Sequence, residues 1–161
     1  MRWVACASAR RFWPALGVAL SLPVAITLAQ GLGGAPHPGV VNEQRAWQHW
    51  TLNCQGCHRP DGTGSEGTAP SLAGTVAKFL NVRGGREYLG RVPGVATSPL
   101  SNDDLAEVLN WMLWRFDAPH IPADFTPYTA AEIGALRTQP LRIEASRVRK
   151  ELLKKADAAQ R

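Results

Sequence analysis

Hydrophobic residues recur at helical spacing through most of the chain after residue 40. Between residues 101 and 116, Leu105, Val108, Leu109 and Met112 follow the i, i+3, i+4, i+7 pattern of a buried helix face. Ser101 stands at the start of this stretch, and Asp103 and Asp104 follow in the first turn, as is typical of a capped helix start. Similar reasoning predicts helices over residues 41–53, 85–92, 129–137 and 144–156. No strand-like alternation persists, so the sequence predicts an all-α fold.

The first 29 residues are predicted to form a signal peptide or a membrane anchor. Arg2, Arg10 and Arg11 precede an apolar run, and no charged residue occurs between residues 12 and 42. Small residues near Ala29 favour cleavage there, which would export the mature chain. A retained anchor is the alternative, because the run reaches the roughly 20 residues that cross a bilayer.

Composition divides the remainder of the chain into three predicted parts. Residues 30–40 are rich in Gly and Pro and form a linker. Residues 41–116 form one helical domain, in which the Gly- and Pro-rich stretch 58–76 is a loop whose shape a cofactor could set. Residues 117–161 form a helical C-terminal extension. The total length of 161 residues suits a single domain with appendages.

The segment Cys54-Gln-Gly-Cys57-His58 carries the most specific chemistry in the sequence. Two thiols at this spacing can form thioethers with the two haem vinyl groups, and the adjacent histidine can ligate the iron. The segment therefore predicts one covalently attached haem c. Zinc is an alternative, but it needs four ligands and the exported chain has no further cysteine. A thioredoxin-like redox pair or a structural disulfide would leave His58 unexplained.

Residues around this motif resemble those of the class I c-type cytochromes. Ala46 and Trp50 precede Cys54 by eight and four residues, and Trp111 lies on the long helix. These resemble the small and aromatic residues at which the first and last helices of that family cross. The resemblance implies a cytochrome c-like helical domain around one haem.

The stretch Pro70-Ser-Leu72 resembles the family's Pro-x-Leu loop. The resemblance implies that the Pro70 carbonyl accepts a hydrogen bond from the iron-ligating His58, which would orient the imidazole and raise its basicity. Pro70 and Leu72 are therefore predicted to belong to the cofactor site. Tyr88-Leu89 also resembles a landmark of the family.

The second axial iron ligand of the family has no obvious counterpart. A methionine usually precedes the last helix, whereas residues 92–100 contain no Met, His, Lys or Cys. Met112 fits the buried face of a helix better than a ligand position. His120 is the candidate distal ligand that the sequence offers, and the other interpretation leaves the sixth position to water or an external molecule.

Charge is unevenly distributed along the chain. The formal charge is +5 overall, but +2 without the first 29 residues, and residues 137–161 hold eight basic against three acidic residues. A basic tail can attract nucleic acid, anionic lipid or an acidic protein, or simply form a solvated face. An exported protein rarely meets nucleic acid, and contact with a membrane is expected only through an uncleaved anchor.

These features favour a periplasmic carrier of single electrons over an enzyme. The expected partner is a redox protein such as a periplasmic dehydrogenase or oxidase. The absent methionine also suggests an open-site haem protein that binds NO, CO or peroxide. A third hypothesis is a haem subunit of a larger dehydrogenase complex.

Overall fold

The computed structural model describes residues 37–159, which fold as helices joined by loops. The predicted signal or anchor, and the linker up to residue 36, lie outside the described residues. No strand occurs in this range, where the only β-type pairing is an isolated bridge between Ser65 and Ala69. The helices are α1 (Glu43–Asn53), α2 (Gln55–His58), α3 (Gly85–Arg91), α4 (Pro93–Ala96), α5 (Asn102–Asp117), α6 (Ala130–Leu136) and α7 (Ala145–Ala159), with 3₁₀ turns at Ala77–Asn81 and Ala118–His120.

Helices α1 and α5 pack against each other and form the centre of the domain. Ala46 is fully buried at their contact, and Trp50 on α1 is 1% exposed. The Trp50 ring centroid lies 6.0 Å from that of Trp111 and 4.8 Å from that of Phe116. A small residue beside large aromatic rings lets the two helices approach while the rings exclude water.

A buried carboxylate joins the start of α1 to α5. Glu107 is 5% exposed, and its Oε1 accepts bonds of 2.8 Å from the backbone N–H groups of Val41 and Asn42. Its Oε2 accepts a 2.8 Å bond from Arg45 Nε. Burial alone would raise the pKa of Glu107, but these hydrogen bonds outweigh it and the pKa is lowered. Glu107 therefore stabilises the fold as an anion.

The C-terminal extension packs onto the domain through α6 and α7. Ile133 on α6 is fully buried, and the buried side chain of Asn110 donates to Tyr128 O and accepts from Tyr128 N. Arg86 on α3 makes a bidentate ion pair with Glu132 on α6, with distances of 2.6 and 2.7 Å. Helix α7 lies against the 3₁₀ turn Ala77–Asn81 and α3, and it buries Leu152 and Ala156.

The predicted helices are confirmed, with ends that differ by a few residues. The sequence pattern missed the short elements, including α4 within the stretch 92–100 that had been expected to be a loop. Pro93 is the first residue of α4, where a proline costs no backbone hydrogen bond. None of the helices within residues 37–159 has the length and apolar character to span a membrane.

Candidate functional site

Cys54 lies between α1 and α2, and Cys57 lies in the short helix α2. Cys54 N donates to Trp50 O, and both Cys57 N and His58 N donate to Cys54 O, at 2.9, 3.2 and 3.0 Å. Both thiols are free; Cys54 is half-buried and Cys57 is exposed. Burial, together with the neighbouring Cys57, raises the pKa of Cys54 to about 11. The turn therefore presents two free thiols and an imidazole within five residues.

The imidazole of His58 is oriented by the loop that follows it. His58 Nδ1 lies 3.2 Å from Pro70 O, and because a carbonyl can only accept, Nδ1 carries the proton. Burial lowers the pKa of His58; the Pro70 bond opposes this, and the positive charge of Arg149 adds to it. The ring is therefore neutral near pH 7. No protein group among residues 37–159 bonds to its Nε2, whose lone pair can bind a metal.

The position of Pro70 depends on a tight turn that requires glycine. Gly64 has a φ of +79°, and a Cβ there would approach Ala69 O to 2.4 Å and Pro70 O to 2.8 Å. Leu72 N donates to Gly62 O at 2.8 Å, which returns the chain to the attachment motif. The half-buried Leu72 side chain packs on the hydrophobic core. The structure thus brings the Pro70 carbonyl to His58 and places Leu72 two residues further along the same loop.

The segment between α3 and α5 is held by an arginine from the C-terminal extension. The Arg137 guanidinium donates to Ala96 O at 3.4 Å, to Leu100 O at 3.0 Å and to Ser98 O. It also donates to Asn102 Oδ1 at 3.1 Å. Sequence reasoning missed this residue, because a basic side chain in an amphipathic tail gives no sign of which carbonyls it will reach.

The two side chains considered as a distal ligand, His120 and Met112, are engaged by other protein groups: His120 forms a hydrogen bond and Met112 packs in the core. His120 Nδ1 is 2.5 Å from Asp117 Oδ1, and Asp117 is 2% exposed and accepts from Ala77 N through its other oxygen. Met112 is 7% exposed and belongs to the hydrophobic core.

The donor set fits a covalent haem better than the alternatives. Two unpaired thiols stand beside an imidazole whose Nδ1 is bonded and whose Nε2 is available. A disulfide is not formed, and residues 37–159 contain no group of three His, Cys, Asp or Glu side chains that could hold a metal ion by themselves. The site lacks the further ligands that a structural zinc needs.

Comparison with known proteins gives the family. No protein-family model matches the chain. The chain is 35% identical over 106 residues to a cytochrome c-552 of Thermus thermophilus, over 55% of this chain and 81% of that protein. A second cytochrome c-552 of Thermus thermophilus is also 35% identical over 106 residues, with 72% of its length covered. The chain belongs to the mono-haem c-type cytochromes. Its helical domain is the cytochrome c-like fold, and its cofactor is one covalently attached haem c.

As a member of this family, the cytochrome is an electron carrier. The contact between α1 and α5 matters for this role because of its position. The crossing lies directly before the attachment turn, and the Trp50 and His58 ring centroids are 6.0 Å apart. The rigid aromatic cluster therefore fixes the residues that follow it. Trp50 Nε1 is buried, and no group within residues 37–159 forms a hydrogen bond with it.

Proposed function

We propose that this cytochrome carries single electrons between periplasmic redox proteins, with the haem attached through Cys54 and Cys57 and the iron ligated by His58. The observation that supports this best is the hydrogen bond from His58 Nδ1 to Pro70 O, because it leaves Nε2 unprotonated. When bound, the haem supplies a one-electron iron couple whose potential the surrounding side chains set.

The protein's own part is to orient, to shield and to limit rearrangement. Pro70 O holds the imidazole in one tautomer and raises its basicity as a ligand. Trp50 and Leu72 supply apolar surface beside the site, which reduces the local dielectric. Thioether attachment prevents cofactor loss, so the carrier can release its partners without releasing the haem.

Attachment is tested by changing the cysteines singly and together. Expressed with a haem-maturation system, Cys54→Ser and Cys57→Ser should each retain one thioether, which shifts the pyridine haemochrome band towards that of a single vinyl group. The double variant should lose covalent haem on acid-acetone extraction. Full retention of haem in the double variant would refute attachment at these residues.

A second candidate function is ligand binding at an open sixth position. Residues 92–100 supply no Met, His, Lys or Cys, and Arg137 ties this segment to α6. Absorption spectra of the ferrous protein with and without CO distinguish the two functions. A shift of the Soret band on adding CO supports the open site. A low-spin spectrum that CO leaves unchanged supports a closed carrier, for which His120 is the candidate distal ligand.

We infer export from the N-terminal sequence, with the domain at residues 41–116 and the extension at 117–161 delivered to the periplasm. The basic extension suits an acidic redox partner such as a dehydrogenase or an oxidase, either in passing or as a subunit. The mass of the mature protein tests cleavage after Ala29. Reduction of the cytochrome by a co-purified dehydrogenase, compared with a variant truncated after residue 136, tests the role of the tail.

A further inference from the structure

The loop that carries Pro70 contains a short stretch that backbone pairing does not hold. Pro70 has no N–H group, and neither Pro70 nor Ser71 takes part in a backbone–backbone hydrogen bond within residues 37–159. On either side the pairing is present, because Ala69 O accepts from a backbone N–H group and Leu72 N donates to a backbone carbonyl, both at 2.8 Å. The backbone therefore fixes the ends of this stretch, and side chains hold its two carbonyl groups.

Both carbonyl groups of the stretch are bonded to side chains. His58 Nδ1 lies 3.2 Å from Pro70 O. Ser71 O accepts bonds of 3.0 Å from Thr75 Oγ1 and from Arg149 Nη2. Thr75 belongs to the same loop and can move with it, whereas Arg149 projects from α7. Arg149 therefore ties the residue next to Pro70 to the C-terminal extension.

The Arg149 guanidinium is itself held in place. Its carbon lies 5.6 Å from the centroid of the Phe79 ring, and Phe79 is 2% exposed. Helix α7 is fastened to the same region, since its Leu152 is buried and Lys78 Nζ lies 3.1 Å from Asp157 Oδ1. A side chain that is already restricted loses less conformational entropy when it forms a hydrogen bond. The bond to Ser71 O is therefore more than a transient surface contact.

Few rotations separate the carbonyl that Arg149 binds from the carbonyl that His58 binds. The pyrrolidine ring fixes φ of Pro70, and the peptide bond between Pro70 and Ser71 is planar. The remaining freedom lies in ψ of Pro70 and in φ and ψ of Ser71. Holding Ser71 O restricts these torsions, and they set the direction in which Pro70 O points.

We propose that Arg149 is a positioning residue for His58: by binding Ser71 O, it keeps the Pro70 carbonyl directed at His58 Nδ1. This inference rests on the proposed ligation of the iron by His58. A hydrogen bond to the other nitrogen of a ligating imidazole fixes the ring and raises its basicity, so the direction of this carbonyl affects the ligand itself. The C-terminal extension thus contributes to the site through a chain of hydrogen bonds.

The test is the exchange of the His58 Nδ1 proton with solvent, measured by NMR on the isotope-labelled, haem-loaded ferrous protein at constant pH. Arg149→Met removes the donor and keeps an apolar side chain against Phe79. We expect exchange to accelerate by about three- to tenfold, since tenfold corresponds to about 1.4 kcal/mol, near the lower limit for a hydrogen bond to a charged group. Arg149→Lys can donate one bond to Ser71 O and should give an intermediate rate.

Arg91→Met is the matched control. Arg91 is also half-buried, and its Nε also donates to a backbone oxygen, that of Gln139, at 2.6 Å. This bond joins α3 to residue 139 and does not involve the loop that carries Pro70. The control variant therefore loses the same charge and the same kind of bond, yet should leave His58 exchange at the wild-type rate. Backbone amides of α5, such as that of Leu109, report global unfolding in each variant.

Each result supports or overturns the proposal. Acceleration in Arg149→Met, with recovery in Arg149→Lys and none in Arg91→Met, supports it. A wild-type rate in Arg149→Met would overturn it, as would equal acceleration in Arg91→Met or an equal acceleration of the α5 amides. If Arg149→Met does not mature, the wild-type protein decides. Arg149 Nη protons that exchange more slowly than those of the exposed Arg142 support the proposal, and equal rates overturn it.

Covalent haem is measured separately in every variant by pyridine haemochrome. Absence of covalent haem in the wild-type protein would refute the proposed function, whatever Arg149 does. Normal haem content with unaltered His58 exchange in Arg149→Met would refute only the role of Arg149. The two failures are therefore distinct.

Discussion

Removing the Arg137 side chain should release the segment between α4 and α5. In Arg137→Ala three backbone carbonyls, those of Ala96, Ser98 and Leu100, lose their donor. Arg137→Lys can restore one of these bonds, since an ammonium group cannot reach all three acceptors in the plane of a guanidinium. The family usually draws its second iron ligand from this part of the chain. The rigidity of this segment therefore affects access to the iron.

The magnitude follows from the number and quality of the bonds. Hydrogen bonds to a charged group contribute about 1.5–3 kcal/mol each, and the half-exposed position of Arg137 places its two shorter carbonyl bonds at or below the lower limit. The 3.4 Å contact with Ala96 O adds little. We expect Arg137→Ala to lower the free energy of unfolding by about 2–3 kcal/mol and Arg137→Lys by about 1–2 kcal/mol.

Guanidinium chloride unfolding of the haem-loaded protein, followed by circular dichroism, measures the loss. Arg142→Ala is the control, because Arg142 is an exposed arginine of the same extension, and no side-chain hydrogen bond to it is formed within the described chain. Hydrogen exchange should increase at residues 96–100, and cyanide should bind the ferric protein faster. If Arg137→Ala matches Arg142→Ala in stability and in exchange, the bonds do not hold the segment and the reasoning fails.

Three further changes test the packing that positions the site. Glu107→Gln should destabilise the protein at pH 7. Because folding lowers the Glu107 pKa, the loss of stability in Glu107→Gln relative to the wild type should shrink as the pH falls from about 5 towards 3. Unfolding curves at several pH values measure this loss, and a loss that does not change with pH would contradict the role of the Glu107 anion. Gly85→Ala should cost about 2–3 kcal/mol, because the new Cβ would lie 1.9 Å from Phe79 O; unchanged denaturation midpoints would rule out the close approach. Trp50→Phe should cost no more than about 1 kcal/mol, since it deletes an unpaired buried N–H, against about 3–5 kcal/mol for Trp50→Ala; similar losses in both variants would show that Nε1 has a partner.

The long helices could be predicted because their patterns are local. The stripe of Leu105, Val108 and Leu109 needs no knowledge of the partner to indicate a buried face, and these residues are 2% exposed or less. The Ser101 cap is equally local, since its hydroxyl accepts from Asp104 N three residues on. Short elements such as α4 lack enough residues to show a period, and a tertiary neighbour decides their conformation.

The attachment motif was visible in the sequence because five consecutive residues carry it. The contact of His58 with Pro70 spans 12 residues and followed from a family resemblance, not from a periodic pattern. Arg137 was not predicted to contribute. Its role depends on where α6 packs, and a basic residue at the end of a helix has the same sequence context whether it faces solvent or reaches a carbonyl.

The Glu107 contact also bears on the order in which the chain can fold. Helix α1 is an 11-residue segment that is marginal alone. Glu107 of its partner α5, which binds the backbone N–H groups just before α1, lies more than 60 positions later in the chain. A chain that emerges from its N-terminus therefore holds the Cys54–His58 turn unpacked until α5 has been made. On the proposed attachment through Cys54 and Cys57, we expect that interval to give the haem access to both thiols before the aromatic cluster closes. The separation of α1 from α5 along the chain would then set a time window for haem attachment.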